Sequence, residues 1–256
     1  MLSCSHLKRV GERFFIDFDD LDRKAEGCRM MILSNPHNPG GTVWSPEDLL
    51  SIADICERHH LIVVADEIHA DLTLPGYQHT SYSTVSDVAK NHSLTFIAPS
   101  KTFNIAGLAS SIVYVPNEDL KKRFFGYLNG YEVANGNIFA FVGAEAAFRY
   151  GEEWLNQMLD YLQDNVNYLA QYMQDRLPLI EPVLPEASYL PWLDFSHYGL
   201  SHQETRRRLI NSARVALNDG TSFGGDAYQN CFRLNIGCPR ATLQEALCRI
   251  ESAFTE

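Results

Sequence analysis

Three side chains stand out in chain order: Asn38 within Asn-Pro-His-Asn-Pro-Gly-Gly (35–41), Asp66 directly after the apolar run 61–65, and Lys101 directly after the run 94–98. A lysine that follows a buried strand and lies between Ser100 and Thr102 is in a setting whose desolvation and neighbouring hydroxyls suit use of the neutral amine. Such an amine can attack a carbonyl and form a Schiff base. An aspartate at a neighbouring strand tip can keep a pyridinium nitrogen protonated and so turn an aromatic ring into an electron sink. Pyridoxal-phosphate chemistry requires that division of labour. The same acid and amine can also form an ordinary salt bridge, and the residue types alone leave both readings open.

The elements around these residues are legible from pattern. Residues 30–34 form a short apolar run that enters the segment 35–41, whose prolines and paired glycines break strand and helix alike and predict a rigid loop. Ser45-Pro46-Glu47-Asp48 then supplies a capping serine, a first-turn proline and acids at the positive helix end. Leu49, Ile52, Ala53 and Cys56 follow at helical spacing and predict an amphipathic helix. The continuous runs 61–65 and 94–98 predict strands buried on both faces, with a further strand at 111–115.

Strand, helix and strand in succession predict an α/β fold with a mostly parallel sheet, in which ligands bind beyond the carboxyl ends of the strands. Asp66 and Lys101 both lie there. Residues 118–176 read as mainly helical. Pro178, Pro182 and Pro185 then mark a boundary, giving a large domain with connecting helices at 1–177 and a small α+β domain at 178–256. Within the latter, 190–195 and 231–236 read as strands, and Ser201-x-x-Glu204 and Thr242-x-x-Glu245 as capping boxes.

The 256 residues are 45% hydrophobic and 21% charged, as in soluble globular chains. Lys and Arg number 21 against 32 Asp and Glu, a net charge of −11. That field disfavours nucleic acid and anionic membrane as partners, since both need positive charge. Arg206-Arg207-Arg208 reads as a solvated helix face. No apolar stretch approaches the roughly 18 residues of a membrane span, and the first ten residues lack the apolar core of a secretion signal.

The six cysteines never form a C-x-x-C pair, which fits reduced thiols in a cytoplasm rather than a zinc site or a disulfide framework. His59-His60 at a helix end is accounted for by the helix dipole and solvent, so no metal site is expected from these two with His69. Asp66-Glu67-Ile68-His69 superficially matches the strand end of a DExH nucleotide hydrolase. The phosphate-holding G-x-x-x-x-G-K-[ST] loop that reading needs is not in the sequence.

Four motifs occur in order: Asn-Pro-His-Asn-Pro-Gly-Gly (35–41), Ala-Asp-Glu-Ile-His-Ala-Asp (65–71), Ala-Pro-Ser-Lys-Thr-Phe-Asn (98–104) and Phe-Arg-Leu-Asn-Ile-Gly-Cys-Pro-Arg (232–240). With them the sequence resembles the fold-type I pyridoxal-phosphate enzymes of the class I/II aminotransferase superfamily, and within it the cystathionine β-lyase (C–S lyase) branch. The resemblance implies pyridoxal 5'-phosphate as cofactor, with Lys101 as the Schiff-base lysine and the base that takes the substrate Cα proton. It implies that Asp66 pairs with the pyridine nitrogen, that Asn38 and His69 reach the phenolic oxygen, and that Ser100 helps hold the phosphate. Arg233 would grip the substrate α-carboxylate as a bidentate fork. His37 and Glu67 read as loop and supporting residues, and Arg240 as a helix-start residue.

Two departures qualify the resemblance. Aminotransferases of the superfamily usually carry an arginine in a Gly-x-Arg context shortly after the lysine, whereas residues 106–111 here are Ala-Gly-Leu-Ala-Ser-Ser. With His69 in place of the tyrosine many of them use, this points to the lyase branch. Nothing before Met30 supplies the family's phosphate-cradling turn or cofactor-stacking ring, so the N-terminal part of the family pattern is expected to lie outside this sequence. The expected activity is cleavage of a cystathionine- or cysteine-type amino acid to thiol, pyruvate and ammonia by a cytoplasmic homodimer acting in amino-acid metabolism. The alternatives are a class I/II aminotransferase using the same lysine and aspartate, and a catalytically inactive truncated binding or regulatory protein.

Overall fold

A computed structural model of the chain describes residues 3–133 and 136–255. Leu7–Val10 (β1) and Arg13–Ile16 (β2) form an antiparallel hairpin turning at Gly11, whose φ of +59° lies in the left-handed region glycine enters freely. Phe18–Ala25 (α1), capped by Asp17, leads to Met30–Ser34 (β3). Pro46–Arg58 (α2) opens with the expected capping box: the Ser45 hydroxyl accepts from the Asp48 N–H at 3.0 Å, and the Asp48 carboxylate accepts from the Ser45 N–H at 3.1 Å. Its Leu49, Ile52, Ala53 and Cys56 are buried, as their spacing predicts.

Ile62–Asp66 (β4), Asp87–Asn91 (α3), Ser93–Ile97 (β5), Pro99–Thr102 (α4) and Ile112–Tyr114 (β6) follow. The sheet order is β3-β4-β5-β6, with β3, β4 and β5 parallel, so the chain has the mostly parallel α/β sheet expected of it. The strand at 111–115 shortens to three residues and runs antiparallel to β5, because the chain returns through the short turn after α4 rather than through a full crossover helix. Leu33, Val63 and Ala65 pack with the buried face of α2, Trp44 and Tyr82 in one core.

The stretch read as helical divides into Glu118–Gly130 (α5), Ile138–Tyr150 (α6) and Glu152–Arg176 (α7). Beyond it come Glu181–Val183 (β7), Trp192–Asp194 (β8), His202–Arg207 (α8), Asn218–Asp219 (β9), Thr221–Gly224 (α9), Cys231–Arg233 (β10) and Arg240–Thr255 (α10). The second sheet is antiparallel with order β7-β8-β10-β9. Its core joins Leu193, Phe195 and Phe232 to Leu162, Val166, Leu169 and Met173 of α7 and to Leu247 and Ile250 of α10.

Of the box expected at Ser201 and Glu204 one half forms: Ser201 accepts from the Glu204 N–H at 3.2 Å, while the Glu204 carboxylate turns to Arg207 and Arg208. The box expected at Thr242 does not form. Helix α10 starts three residues earlier, at Arg240 rather than Leu243, and the N–H of Thr242 donates to the Pro239 carbonyl at 2.9 Å. Proline before the first turn needs no donor and presets the backbone, so it takes over the start. Arg240 is then fixed by its Nε donating to Asn165 Oδ1 at 2.7 Å and by its guanidinium over Tyr168. No helix among the described residues is long and apolar enough to cross a membrane.

The loop 35–41 is stitched to the segment before β8. Gly41 O accepts from the N–H groups of Glu186 and Ala187 at 2.9 and 3.0 Å. A Cβ on Gly41 would come within 2.7 Å of Pro185, so this contact needs glycine. The Glu186 carboxylate bridges Arg13 and the Val43 N–H, both at 2.7 Å.

Candidate active site

The carboxyl ends of β3, β4 and β5 release three segments on one edge of the sheet, where open α/β sheets hold ligands. From β3 comes the loop bearing Asn38, whose N–H donates to the Ser34 hydroxyl at 3.1 Å. From β4 comes Asp66, half-buried, with its backbone carbonyl accepting from Asn35 N at 3.0 Å and its Oδ1 from the Ile68 N–H at 3.3 Å. From β5 comes α4 with Ser100 and Lys101, both half-buried. The buried Thr102 hydroxyl donates to Asp71 Oδ2 at 3.0 Å and ties this turn to the segment after β4.

Glu67 lies behind Asp66 and is 2% exposed. Its Oε1 accepts from the Tyr82 N–H at 2.7 Å and from Asn35 Nδ2 at 3.2 Å, while Oε2 pairs with His79 Nε2 at 3.0 Å. This supporting role agrees with the sequence reading, and it locks the Asn35 loop to the end of β4. His37 likewise serves the loop, its Nδ1 accepting from the Gly40 N–H at 3.2 Å. The second expected strand pair supplies Arg233 at the end of β10, where Nη1 donates to Asn38 Oδ1 at 2.7 Å and Nη2 to Asn218 Oδ1 at 3.0 Å. Its guanidinium carbon lies 4.7 Å from the centre of the Phe223 ring.

His69 is 5% exposed, with its ring edge-on to Tyr189. Burial first, then the positive charges of Lys101 and Arg233, push its pKa down to about 4, so the imidazole is neutral. That electrostatic coupling brings three of the sequence candidates into one field. Asn38 joins it through Arg233, and Asp66 through the backbone of the Asn35 loop. Asp66 and Lys101 form no ion pair with each other or with any described residue, so the bland salt bridge is not what these two groups make. Ser100 makes no side-chain hydrogen bond to the other candidates. Asn218, Tyr189 and Phe223 were not legible as site residues. They lie outside the four motifs, and only the chain's return path brings them to Arg233 and His69.

A buried histidine, an amine and an acid without an ion pair to any described residue, and a guanidinium thus gather near the carboxyl ends of parallel strands, where open α/β folds hold ligands. The Aminotransferase class I and II family model matches residues 4–250, and the chain belongs to that family. It is similar to the cystathionine beta-lyase PatB of Bacillus subtilis, 41% identical over 244 residues that cover 94% of this chain and 63% of that protein. The cystathionine beta-lyase of Corynebacterium glutamicum is 34% identical over 250 residues, 95% of this chain and 66% of that one. Among solved structures, the PLP-bound C-S lyase from Staphylococcus hominis superposes with a TM-score of 0.90 at 33% identity, covering 98% of this chain and 64% of its own. The chain thus spans a little under two thirds of the length of these relatives.

Proposed function

We propose that this chain carries the pyridoxal 5'-phosphate site of a carbon–sulfur β-lyase, which converts a cystathionine- or cysteine-type amino acid and water to a thiol, pyruvate and ammonia. The observation that carries the reading is the placement of Asn38, Asp66 and Lys101 beyond the carboxyl ends of the parallel strands β3, β4 and β5, with Arg233 Nη1 reaching Asn38 Oδ1 at 2.7 Å. The polar atoms left over at the site suit that cofactor: among the described residues His69 Nδ1 and Arg233 Nε are buried without a hydrogen-bond partner. Asp66 would hold the pyridine nitrogen, Asn38 and His69 the phenolic oxygen, Ser100 the phosphate and Lys101 the carbonyl carbon. When bound, the cofactor supplies an electron sink for the pair left on the substrate Cα.

The protein's own residues do the rest. Arg233 binds the α-carboxylate: one N–H on each of Nη1 and Nη2 is spent on Asn38 and Asn218, and Nε–H is a buried donor without a partner among the described residues. Lys101 Nζ removes the Cα proton as general base, and the sulfur leaves from Cβ with the bonding pair and acquires a proton. We further propose residues 1–177 as the cofactor-binding part, with 178–256 as a small domain to which α7 lends one face. A homodimer is supported by the bare apolar side chains of α6, where Ile138 and Phe139 are 72% and 71% exposed. A cytoplasmic setting is supported by six unpaired cysteines.

The test is an absorption spectrum of the protein with added pyridoxal phosphate beside Lys101→Ala. A visible band that borohydride fixes onto Lys101, followed by pyruvate release from cystathionine, is the expected result. A band with turnover only when a keto acid is added would make the protein an aminotransferase. No band in a folded protein would leave a chain that needs further sequence to bind the cofactor.

A further inference from the structure

Tyr189 is half-buried at the edge of the core around α7 and α10 and has no part in the proposed reaction. Ser188 before it is buried at φ +78°, in the left-handed region that side chains with a Cβ rarely adopt. The Ser188 N–H donates to Leu72 O at 2.8 Å, and Tyr189 O accepts from Ile236 N at 2.9 Å. These bonds anchor the backbone on both sides of the phenol, and its ring meets His69 edge-on, with centroids 6.3 Å apart and planes at 72°. Gly237 lies against the same ring: a Cβ there would stand 3.2 Å from Tyr189 Cγ and Cδ2 and from Asn235 Oδ1, close enough to push the ring by a few tenths of an ångström. The hydroxyl makes no hydrogen bond to a described residue.

We infer that Tyr189 is a positioning residue of this site: seated against Gly237, its ring holds the His69 imidazole in one orientation and keeps water from it. The inference rests on His69 belonging to the site, as proposed above. It assigns a purpose to Gly237 in Phe-Arg-Leu-Asn-Ile-Gly-Cys-Pro-Arg, the glycine that the reaction itself leaves without one. The charged groups bearing on His69 are Lys101 from α4 and Arg233 from β10, and Tyr189 is the aromatic ring placed against it. Removing the ring admits water, which restores the solvation that the protonated imidazole lacks.

The experiment is an NMR titration of the His69 ring in the protein without cofactor, with its signal identified by loss in His69→Gln. The expected midpoint is about 4 in the parent protein, and in Tyr189→Ala it moves up toward 6.5. Tyr189→Phe keeps the parent midpoint, since the ring and not the hydroxyl acts. Gly237→Ala, which displaces the ring without deleting it, gives an intermediate midpoint and carries the test where Tyr189→Ala does not fold. An unchanged midpoint in either alanine variant, or a Tyr189→Phe that behaves like Tyr189→Ala, overturns the inference. The titration needs no turnover, so a protein that binds no cofactor and releases no pyruvate defeats the lyase proposal without touching this result.

Discussion

Arg233 Nη1 donates to Asn38 Oδ1 at 2.7 Å across 195 residues of chain. The bond joins the loop after β3 to the end of β10, and so ties the parallel sheet to the antiparallel one at the site. Because the acceptor is an uncharged amide, the guanidinium is oriented without being neutralised and keeps its charge for an anion.

Asn38→Asp changes that balance. A carboxylate at the same distance would pair with Arg233 and compete with the substrate carboxylate. We expect KM for the amino-acid substrate to rise by about tenfold or more, corresponding to roughly 1.4 kcal/mol of lost binding. Asn38→Ala, which only loosens the arginine, should raise it less. Steady-state pyruvate release over a range of substrate concentrations distinguishes the two, and equal KM values would show that the Asn38 contact does not tune the arginine.

Glu67 tests the support behind the site. In Glu67→Ala the Tyr82 N–H, Asn35 Nδ2 and His79 Nε2 all lose the partner they share. Removing one side of such a buried network costs about 3–5 kcal/mol. Glu67→Gln retains an acceptor and should cost about 1–2 kcal/mol. Urea unfolding of both variants measures this, and an alanine variant as stable as the parent would show that the network carries no weight.

Two histidines, His69 buried and His37 half-buried, set an acid limit on stability. Burial pushes His37 down to about 4, and burial with the Lys101 and Arg233 charges does the same for His69, against 6.5 in the unfolded chain. Between those values the unfolded chain binds protons that the folded one refuses. Stability is therefore full above pH 6.5 and falls as pH drops toward 4, by at most about 1.4 kcal/mol per pH unit for each histidine. Urea midpoints at several pH values across this window should show the slope. His37→Asn keeps an acceptor for the Gly40 N–H and should lose part of it, and an identical slope in that variant would remove His37 from the account.

What could be read in advance was local chemistry. The Ser45 box, the stripe of α2, the strands β4 and β5 and the breaker loop at 35–41 all follow from contacts within a few residues and lie within a residue of where the pattern put them. The expected burial on both faces fails: in β4 the half-buried Ile62 and Val64 alternate with the buried Val63 and Ala65, and in β5 Phe96 and Ile97 are only half-buried. The α/β class followed from their order. Lys101, Asp66, Asn38, His69, Ser100 and Arg233 were nameable because they lie in four compact motifs at strand ends. The Thr242 box failed for an equally local reason: Pro239 offered a better helix start, and two adjacent signals competed for one terminus.

Tertiary structure decided what depends on the path of the chain between those motifs. It turned β6 antiparallel and put Asn218 and Phe223 on Arg233. It also set Tyr189 against His69 and left Asp66 and Lys101 without an ion pair to each other. Hydrogen-bond and capping preferences act over one turn of helix or one strand pair, so the sequence carries them openly. The approach of Arg233 to Asn38 is set by the summed packing of two cores and two sheets, and no single stretch of residues contains it.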